Sequence, residues 1–307
     1  MTSGPRHVWV DGQVVAADGP HLSVFDRGFQ LGDGVFETLR VRSGHPTELI
    51  EHLARLRGSA AGLEIGLPLD IEARVGQGIV DLLAAEGLDG PDDDASVRIT
   101  VSRGRFRARG LLPPDEDVPA TIVIGAWPVP AVPVGHLENG LHLATSRVRR
   151  DPANPLATLK TTSRAEYVYA RLEARRAGAD DALFLTIDDH LSEATSANLF
   201  LVRRVTDAHG ASATELATPA LDCAILPGTT RSWLLAWAIG VGLRPVEAHL
   251  TRDDLQDADE AFLSSSVAGV LPVTRFDGVP IGDGRPGPWA RRARVDREAM
   301  IANGGQR

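Results

Sequence analysis

Cysteine, long apolar runs and net positive charge are all scarce in this 307-residue chain. Cys223 is the single cysteine, so the chain has no internal disulfide. A single cysteine also argues against a cysteine-based zinc site. No apolar stretch reaches the roughly 20 residues of a membrane-spanning helix, and the N-terminus lacks the apolar core of a signal peptide. The net charge of −9 argues against general binding to nucleic acid or anionic membranes. We therefore predict a cytoplasmic globular protein that uses no metal, nucleic acid or membrane.

Lysine is almost absent as well, because Lys160 is the only lysine among 32 Lys and Arg residues. Arginine replaces lysine in surface charge and salt bridges, but its guanidinium stays protonated and cannot attack a carbonyl. A chain that keeps one lysine therefore invites a chemical explanation. The leading one is an imine between Lys160 and a carbonyl cofactor or substrate. The alternative is a surface lysine left by chance in an arginine-rich composition.

The hydrophobic patterns predict a mixed α/β (α+β) protein with two domains. Three prolines between residues 127 and 133 interrupt helix and strand alike, so we predict an interdomain linker at 127–135. A small N-terminal α/β domain then covers 1–126, and a larger C-terminal domain with Lys160 covers 136–307. The predicted strands are 7–10, 13–15, 35–41, 97–102, 121–126, 141–148, 181–187, 198–203 and 261–265. The predicted helices begin at Pro46 and Asp70 or cover 163–177 and 232–241, and the tail after Asp283 is predicted to be loosely ordered.

Four other stretches carry candidate site residues. Glu193 lies among small residues, where a carboxylate can pair with a pyridinium nitrogen or simply cap a turn. Residues 226–231 lead into a helix whose N–H groups and hydroxyls suit a phosphate, although threonine is also a common N-cap. Arg55 can clamp a phosphate or form a surface salt bridge, and residues 264–266 are a site loop or an ordinary polar loop. An amine nucleophile, a pyridinium partner and phosphate donors together match pyridoxal 5′-phosphate.

With these motifs the sequence resembles the fold type IV pyridoxal-phosphate enzymes. They include branched-chain and D-amino-acid aminotransferases, (R)-amine transaminases and aminodeoxychorismate lyases. The resemblance covers about residues 7–280, in ordered blocks at 25–28, 32–38, 52–56, 160, 192–200, 226–231, 260–266 and 272–273. It implies a small and a larger domain with the cofactor in the cleft between them, and a homodimer with its sites near the interface.

The resemblance also implies a role for each matching residue. Lys160 would form the Schiff base and shuttle the proton, and Glu193 would face the pyridine nitrogen. Leu226 would pack on the ring, and Ser265 would lie near the substrate carboxylate. The phosphate would be held by Arg55, Thr229, Thr230 and Ser266.

Departures from the branched-chain enzymes leave the reaction open. Ala165 stands where those enzymes tend to carry a tyrosine, Ser265-Ser266 replaces a Gly-Thr pair, and their Tyr-x-Arg strand is not evident near 97–103. The Arg-Gly loop at 102–111 looks more like those of lyases and D-amino-acid enzymes. Its arginines would suit a substrate carboxylate, with a flexible basic loop as the competing interpretation. The candidate substrate residues are Arg103, Arg107 and Phe36.

We therefore predict a pyridoxal-phosphate-dependent class IV aminotransferase that moves an amino group from an amino acid or amine to a 2-oxo acid. Branched-chain or related amino acids are the first expectation. The alternatives are an aminodeoxychorismate lyase that forms 4-aminobenzoate and pyruvate, a D-amino-acid or (R)-amine transaminase, and a non-catalytic binding protein of the same fold.

Overall fold

The computed structural model describes residues 4–113, 118–206 and 212–305, which form two compact units. The first unit comprises Met1–Val129, Leu159–Arg164 and Met300–Arg307, and the second comprises Pro130–Thr158 and Ala165–Ala299. The predicted domain bounds 1–126 and 136–307 stay a prediction, but the segment that carries Lys160 groups with the first unit. The reason is backbone pairing, since Phe36 N donates to Lys160 O (2.9 Å) and Thr162 N donates to Gly34 O (2.8 Å). The linker at 127–135 stays a prediction.

The first unit is built on a six-stranded antiparallel sheet with the order β2-β1-β6-β5-β3-β4. Its elements are β1 (His7–Val10), β2 (Gln13–Ala16), α1 (Arg27–Leu31), β3 (Gly34–Arg42), β4 (His45–Pro46), α2 (Leu49–Gly62), α3 (Ile71–Glu86), β5 (Asp94–Ser102) and β6 (Thr121–Pro128). Pro46 was predicted to begin a helix but lies in β4, because Ser43 and Gly44 turn the chain back at positive φ. The helix α2 begins three residues later.

Strand alternation gives this sheet two different faces. The alternating burial along β5 places every second side chain in a core shared with α2 and α3. That core includes Val35, Leu39, Leu53, Leu56, Ile79, Val97 and Ile99. The opposite face carries Phe36 and Arg98, since Phe36 pairs with Thr100 and Arg98 pairs with Thr38 across the two strands. The helices therefore cover one face and leave the other for polar and aromatic side chains.

The second unit is built on a mixed sheet in which nine strands fall within the described residues. Its path is β12-β11-β10-β13-β14-β7-β8-β9, with β15 paired to β14 and parallel pairs at β11–β12, β14–β7 and β7–β8. Its elements are α4 (Val134–Glu138), β7 (Leu141–Arg150), α5 (Ala165–Arg176), β8 (Asp181–Thr186), β9 (Leu191–Ala194), β10 (Asn198–Thr206), β11 (Ser212–Pro219), α6 (Thr229–Gly240), β12 (Arg244–Ala248), α7 (Arg252–Gln256), β13 (Glu260–Ser265), β14 (Gly269–Phe276), β15 (Val279–Pro280) and α8 (Pro288–Ala302).

The mixed α/β architecture predicted from the sequence is confirmed, but several elements were not foreseen. The sequence patterns missed β9, β11, β12 and β14. The tail was predicted to be loosely ordered, whereas α8 occupies 15 of its residues. Its arginine-rich composition hid the buried face formed by Ala290, Ala293 and Arg297. No helix among residues 4–113, 118–206 and 212–305 is both long enough and apolar enough to cross a bilayer.

Candidate active site

Lys160 is held by its backbone against the edge of β3 in the first unit. Its N–H donates to Ser59 Oγ of α2 (3.0 Å), and its carbonyl accepts from Phe36 N (2.9 Å). The next residue, Thr161, forms an antiparallel bridge with Val35. Both backbone groups of Lys160 are thus fixed to rigid elements, which leaves its side chain as the only adjustable part. A reactive amine requires this kind of fixed attachment.

The Lys160 side chain lies beside Phe36 together with two arginines. Its Nζ is 4.7 Å from the centre of the Phe36 ring, and the Cζ atoms of Arg98 and Arg164 lie 3.7 Å and 5.8 Å from that centre. Burial lowers the pKa of Arg98, and the like charge of Arg164 lowers it further. Three basic side chains therefore gather around one aromatic ring on this face of the sheet.

Arg98 and Arg164 were not among the residues singled out from the sequence. Arg98 lies on β5, in the region where a Tyr-x-Arg strand was not evident, with Ser96 two residues before it. The signal that was available is the alternation of β5, which puts Arg98 and Thr100 on the face away from the helices. Arg164 follows Lys160 by four residues, and nothing in the local sequence marks it.

Arg55, predicted to bind phosphate, forms a buried ion pair with Glu37. Its Nε and Nη2 donate to the two Glu37 carboxylate oxygens, both at 2.7 Å. His52 Nδ1 also lies 2.7 Å from Glu37 Oε2. Burial alone would raise the pKa of Glu37, but the bonds from Arg55 and His52 outweigh it and lower the pKa from 4.5 to about 2. The bidentate pair fixes the plane of the Arg55 guanidinium.

Glu193 organises a second group of residues, in the second unit. Its Oε2 accepts hydrogen bonds from Leu226 N (2.9 Å) and Asn198 Nδ2 (3.5 Å), and its Oε1 lies 3.8 Å from Arg150 Nη2. Asn198 Nδ2 also donates to Leu226 O (3.0 Å), so both backbone groups of Leu226 are fixed. Glu193 was predicted to lie between two strands, but it belongs to the buried strand β9.

Arg150 lies next to Glu193 and was not singled out from the sequence. Its guanidinium donates to the carbonyls of Ala157 and Ala224 and to Glu166 Oε1. Burial lowers the pKa of Arg150, but Tyr167 and the neighbouring glutamates outweigh burial and raise it overall. Arg150 therefore places a positive charge 3.8 Å from the Glu193 carboxylate.

The start of α6 brings together hydroxyl groups and the backbone N–H groups of a helix N-terminus. Gly228 caps the helix, and a Cβ there would lie 2.1 Å from Asn198 Oδ1, so no larger residue fits without a shift. Thr229 Oγ1 lies 3.3 Å from Ser266 Oγ, which follows Ser265 at the end of β13. The fully buried Arg297 of α8 donates to Thr230 Oγ1 (3.3 Å) and adds positive charge beneath this helix end. The set suits a phosphate group.

Arg103, predicted to bind substrate, is engaged within the first unit instead. It donates to both Asp33 carboxylate oxygens (2.8 and 3.1 Å) and to the carbonyls of Leu63 and Glu64. Burial would raise the pKa of Asp33, but Arg103 and Arg27 lower it overall. Arg103 therefore holds a loop and is not among the residues that we propose for substrate binding. Arg107 is exposed, and its role stays a prediction.

Each unit, taken by itself, carries donor groups of kinds that a phosphorylated pyridine ring needs. The first unit supplies an amine and an oriented guanidinium, and the second supplies a buried carboxylate and a helix N-terminus with hydroxyls. These are the groups that such a cofactor needs at its carbonyl carbon, ring nitrogen and phosphate. Sequence reasoning singled out Lys160, Glu193 and the α6 start, whose roles stay predictions. It did not single out Glu37, Arg150 and Arg297, which contact Arg55, Glu193 and Thr230.

Comparison with known proteins identifies the family. The model of the amino-transferase class IV family matches residues 34–276, so the chain belongs to that family. It is 33% identical to a putative branched-chain-amino-acid aminotransferase of Methanocaldococcus jannaschii, covering 93% of each chain. It is 29% identical to the D-alanine aminotransferase of Listeria innocua, covering 92% of this chain and 91% of that one. It spans only 48% of the length of a branched-chain-amino-acid aminotransferase-like protein of Arabidopsis thaliana, at 28% identity.

Solved structures agree with this assignment. The branched-chain amino acid aminotransferase of Escherichia coli superposes with a TM-score of 0.86 at 25% identity, covering 99% of this chain and 97% of that one. The 4-amino-4-deoxychorismate lyase of Pseudomonas aeruginosa superposes with a TM-score of 0.78 at 33% identity, covering 96% and 99%. The predicted family and fold are therefore confirmed, and aminotransferases and a lyase are both among the proteins that this chain is similar to.

Proposed function

We propose that this protein is an aminotransferase that uses pyridoxal 5′-phosphate to move an amino group from an amino acid to a 2-oxo acid. The observation that carries the proposal is the fixed position of the only lysine, whose backbone is bonded to β3 beside Phe36 and two arginines. Family membership and the aminotransferases among the relatives support it. When bound, the cofactor supplies an electron sink for the negative charge that develops at the substrate Cα.

The residues of the chain then bind, orient and move protons. Lys160 Nζ takes the proton from the substrate Cα and returns a proton at the next stage, as a positioned general base and acid. Glu193 holds a proton at the ring nitrogen, and Leu226 is fixed by its bonds to Glu193 and Asn198 so that its side chain packs against the ring. Thr229, Thr230 and Ser266 hold the phosphate at the α6 start, together with Arg55.

A panel assay tests the proposed reaction. Purified protein is incubated with pyridoxal 5′-phosphate and single amino donors: L- and D-alanine, the branched-chain amino acids, L- and D-glutamate, and (R)-amines. Loss of the absorbance of the lysine-bound cofactor together with release of the matching oxo compound is the expected result for at least one donor. If the protein binds the cofactor but no donor converts it, the aminotransferase proposal is wrong. Release of pyruvate and 4-aminobenzoate from 4-amino-4-deoxychorismate would instead establish the lyase.

The lyase remains the second candidate because of one observation. The Pseudomonas lyase shares 33% identity with this chain, whereas the E. coli aminotransferase shares 25%. The same lysine and the same ring-nitrogen partner serve both reactions, so the substrate assay separates them and the site residues do not.

Glu193→Gln tests the partner of the ring nitrogen. We expect kcat to fall about 100-fold, because a neutral amide keeps a hydrogen bond but no longer stabilises a charged ring nitrogen. Glu166→Gln is a matched control, since Glu166 also pairs with Arg150 (2.7 Å) yet is half-exposed and is not assigned to the cofactor. Steady-state kinetics of both variants at saturating cofactor give the comparison. A wild-type kcat for Glu193→Gln would remove Glu193 from the reaction.

Arg98→Met tests the substrate anion site. Arg98 and Arg164 are the arginines beside Phe36, and we propose that they bind a substrate carboxylate. Loss of one charged hydrogen-bond donor is expected to lower kcat/KM at least about tenfold for a carboxylate-bearing donor, with a smaller effect on an (R)-amine. Arg107→Met is the control and tests the loop residue predicted from the sequence. A fall with Arg107→Met and none with Arg98→Met would place the carboxylate on the loop instead.

We also propose a homodimer, on the basis of the family resemblance. Light scattering coupled to size-exclusion chromatography measures the mass directly, and a mass of one chain at assay concentration would contradict this proposal. The cytoplasmic location stays a prediction.

A further inference from the structure

Asp222, Cys223 and His249 of the second unit form a cluster that the proposed reaction does not use. They offer a carboxylate oxygen, a sulfur and an imidazole nitrogen, and these ligand atoms all lie within 4.8 Å of one another. His249 Nε2 is 2.9 Å from each Asp222 carboxylate oxygen. Cys223 is buried, whereas the side chains of His249 and Asp222 are 53% and 67% exposed, so the imidazole and carboxylate of the cluster are open to solvent.

Backbone hydrogen bonds fix the two segments that carry these ligands. Cys223 lies in a 3₁₀ turn, Leu221–Cys223, and its N–H donates to Ala220 O (2.9 Å). Ala220 N in turn donates to Ala248 O (3.0 Å), the residue before His249 at the end of β12. The turn and the strand end are therefore connected through their backbones, so the ligand atoms are brought together before any ion binds.

A second imidazole borders the cluster. The rings of His190 and His249 are 4.9 Å apart with an angle of 31° between their planes. Leu191 N donates to Leu250 O (2.7 Å), which keeps the residue after each histidine in register. The His190 ring therefore packs against the His249 ring and limits its movement.

We propose that Asp222, Cys223 and His249 bind a zinc ion. Thiolate, imidazole and carboxylate together suit zinc, which takes three protein ligands and a solvent molecule in sites that keep one position open. The thiol proton passes to solvent when the sulfur binds the ion. The expectation that no zinc site exists rested on the cysteine count, which argues against a site of several thiolates but not against this set, which needs only one.

The position of the cluster indicates what bound zinc would do. Ala224 follows Cys223 directly, and its carbonyl accepts from Arg150 and Ser192. Leu226, two residues further, donates to Glu193. Zinc would connect the 221–223 turn to β12 and so stabilise the segment that carries these contacts. We expect zinc to raise the melting temperature of the wild-type protein, whether or not the proposed aminotransferase activity is confirmed.

The test uses the full chain without a histidine tag, freed of metal by dialysis against a chelator. Zinc is titrated in competition with a chromophoric chelator, cobalt is titrated separately, and magnesium serves as the hard-ion control. We expect one zinc per chain, a thiolate-to-cobalt charge-transfer band in the near ultraviolet, and no magnesium binding. Cys223→Ser should remove the band. Both Cys223→Ser and His249→Asn should lower the affinity for zinc at least about 10- to 100-fold, because loss of a group that only hydrogen-bonds to a metal ligand already has an effect of that size.

His136→Asn is the matched control, because His136 Nε2 lies 3.4 Å from Asp180 Oδ1 in a partly exposed His–Asp pair that is not part of the cluster. Its zinc affinity should equal that of the wild type. Circular dichroism without metal checks that each variant is folded, and the cobalt spectrum of the wild type requires no variant at all. The proposal is overturned if the wild type shows no charge-transfer band, or if Cys223→Ser and His249→Asn bind zinc as tightly as the wild type.

Discussion

Lys160→Arg is expected to abolish transamination, with kcat lowered about 1,000-fold or more, because the chain then contains no side-chain amine. Arginine keeps the positive charge beside Phe36 and the backbone bonds to Ser59 and Phe36. It cannot lose a proton near neutral pH and therefore cannot serve as nucleophile or general base. The variant separates the chemical role of Lys160 from its charge. Steady-state and single-turnover kinetics with the best donor of the panel measure the loss.

The single lysine permits a direct chemical test of the same prediction. Borohydride reduction of the cofactor-loaded protein should fix one cofactor mass on the chain, and peptide mapping should locate it at Lys160. The only other amine is the N-terminus, which mapping distinguishes. Lys160→Arg should acquire no such mass while its melting temperature stays close to that of the wild type. Cofactor fixed at the N-terminus alone, or a variant with wild-type kcat, would disprove the assignment of Lys160.

Glu37→Gln is expected to cost about 3–5 kcal/mol of unfolding free energy, the largest stability effect that we predict. Glu37 is fully buried and receives charged hydrogen bonds from Arg55 and His52. Removing one partner of a buried ion pair leaves the other charge uncompensated, and this is strongly destabilising. The variant should also bind the cofactor more weakly, because the plane of Arg55 is no longer fixed. Urea unfolding without cofactor and cofactor titration measure the two effects separately.

Glu72→Gln provides the surface control, since Glu72 pairs with Arg57 (3.0 Å) while 63% exposed. We expect it to change the unfolding free energy by less than about 0.5 kcal/mol. Equal effects of the two substitutions would show that the ion pair at Glu37 contributes no more than a surface pair.

The pH dependence of stability should carry the signature of Glu37. Its pKa is 4.5 ordinarily and about 2 in the folded chain, so the folded state binds this proton more weakly than the unfolded state. Its stabilisation, about 3 kcal/mol, is therefore complete above pH 4.5 and is lost as the pH falls from about 4.5 towards 2. The stability of Glu37→Gln should fall less steeply over that window. Parallel pH profiles for the two proteins would contradict this assignment.

The residues with local signatures could be predicted from the sequence. Lys160 stood out by composition, the start of α6 by its Pro-Gly-Thr-Thr run, and Glu193 by its small neighbours. Local periodicity, which depends on side chains a few residues apart, also predicted the long amphipathic helices and the strands of the first sheet other than β4. What these residues do at the site remains a proposal for the kinetics above to test.

The contacts of Glu37, Arg150 and Arg297 with the candidate site residues could not be predicted, because each depends on pairing between residues distant in sequence. No local pattern near Glu37 predicts its hydrogen bonds with His52 and Arg55, which lie 15 and 18 residues further along the chain. The sequence did not show that Arg103 would pair with Asp33. Arg98 became a candidate only because the register of β5 against β3 puts its side chain on the same face of the sheet as Phe36.

The sequence by itself determined the kind of chemistry, since an amine, a carboxylate and a phosphate-binding helix start are properties of residue types in short segments. The tertiary structure decided that Arg55 and Arg103 pair with carboxylates of the protein and that Arg98 and Arg164 lie beside Phe36. It also decided that the lysine segment pairs with β3 and that Asp222, Cys223 and His249 come together. The physical reason is that strand register and helix packing bring together groups tens of residues apart. Short-range sequence patterns do not predict such long-range contacts.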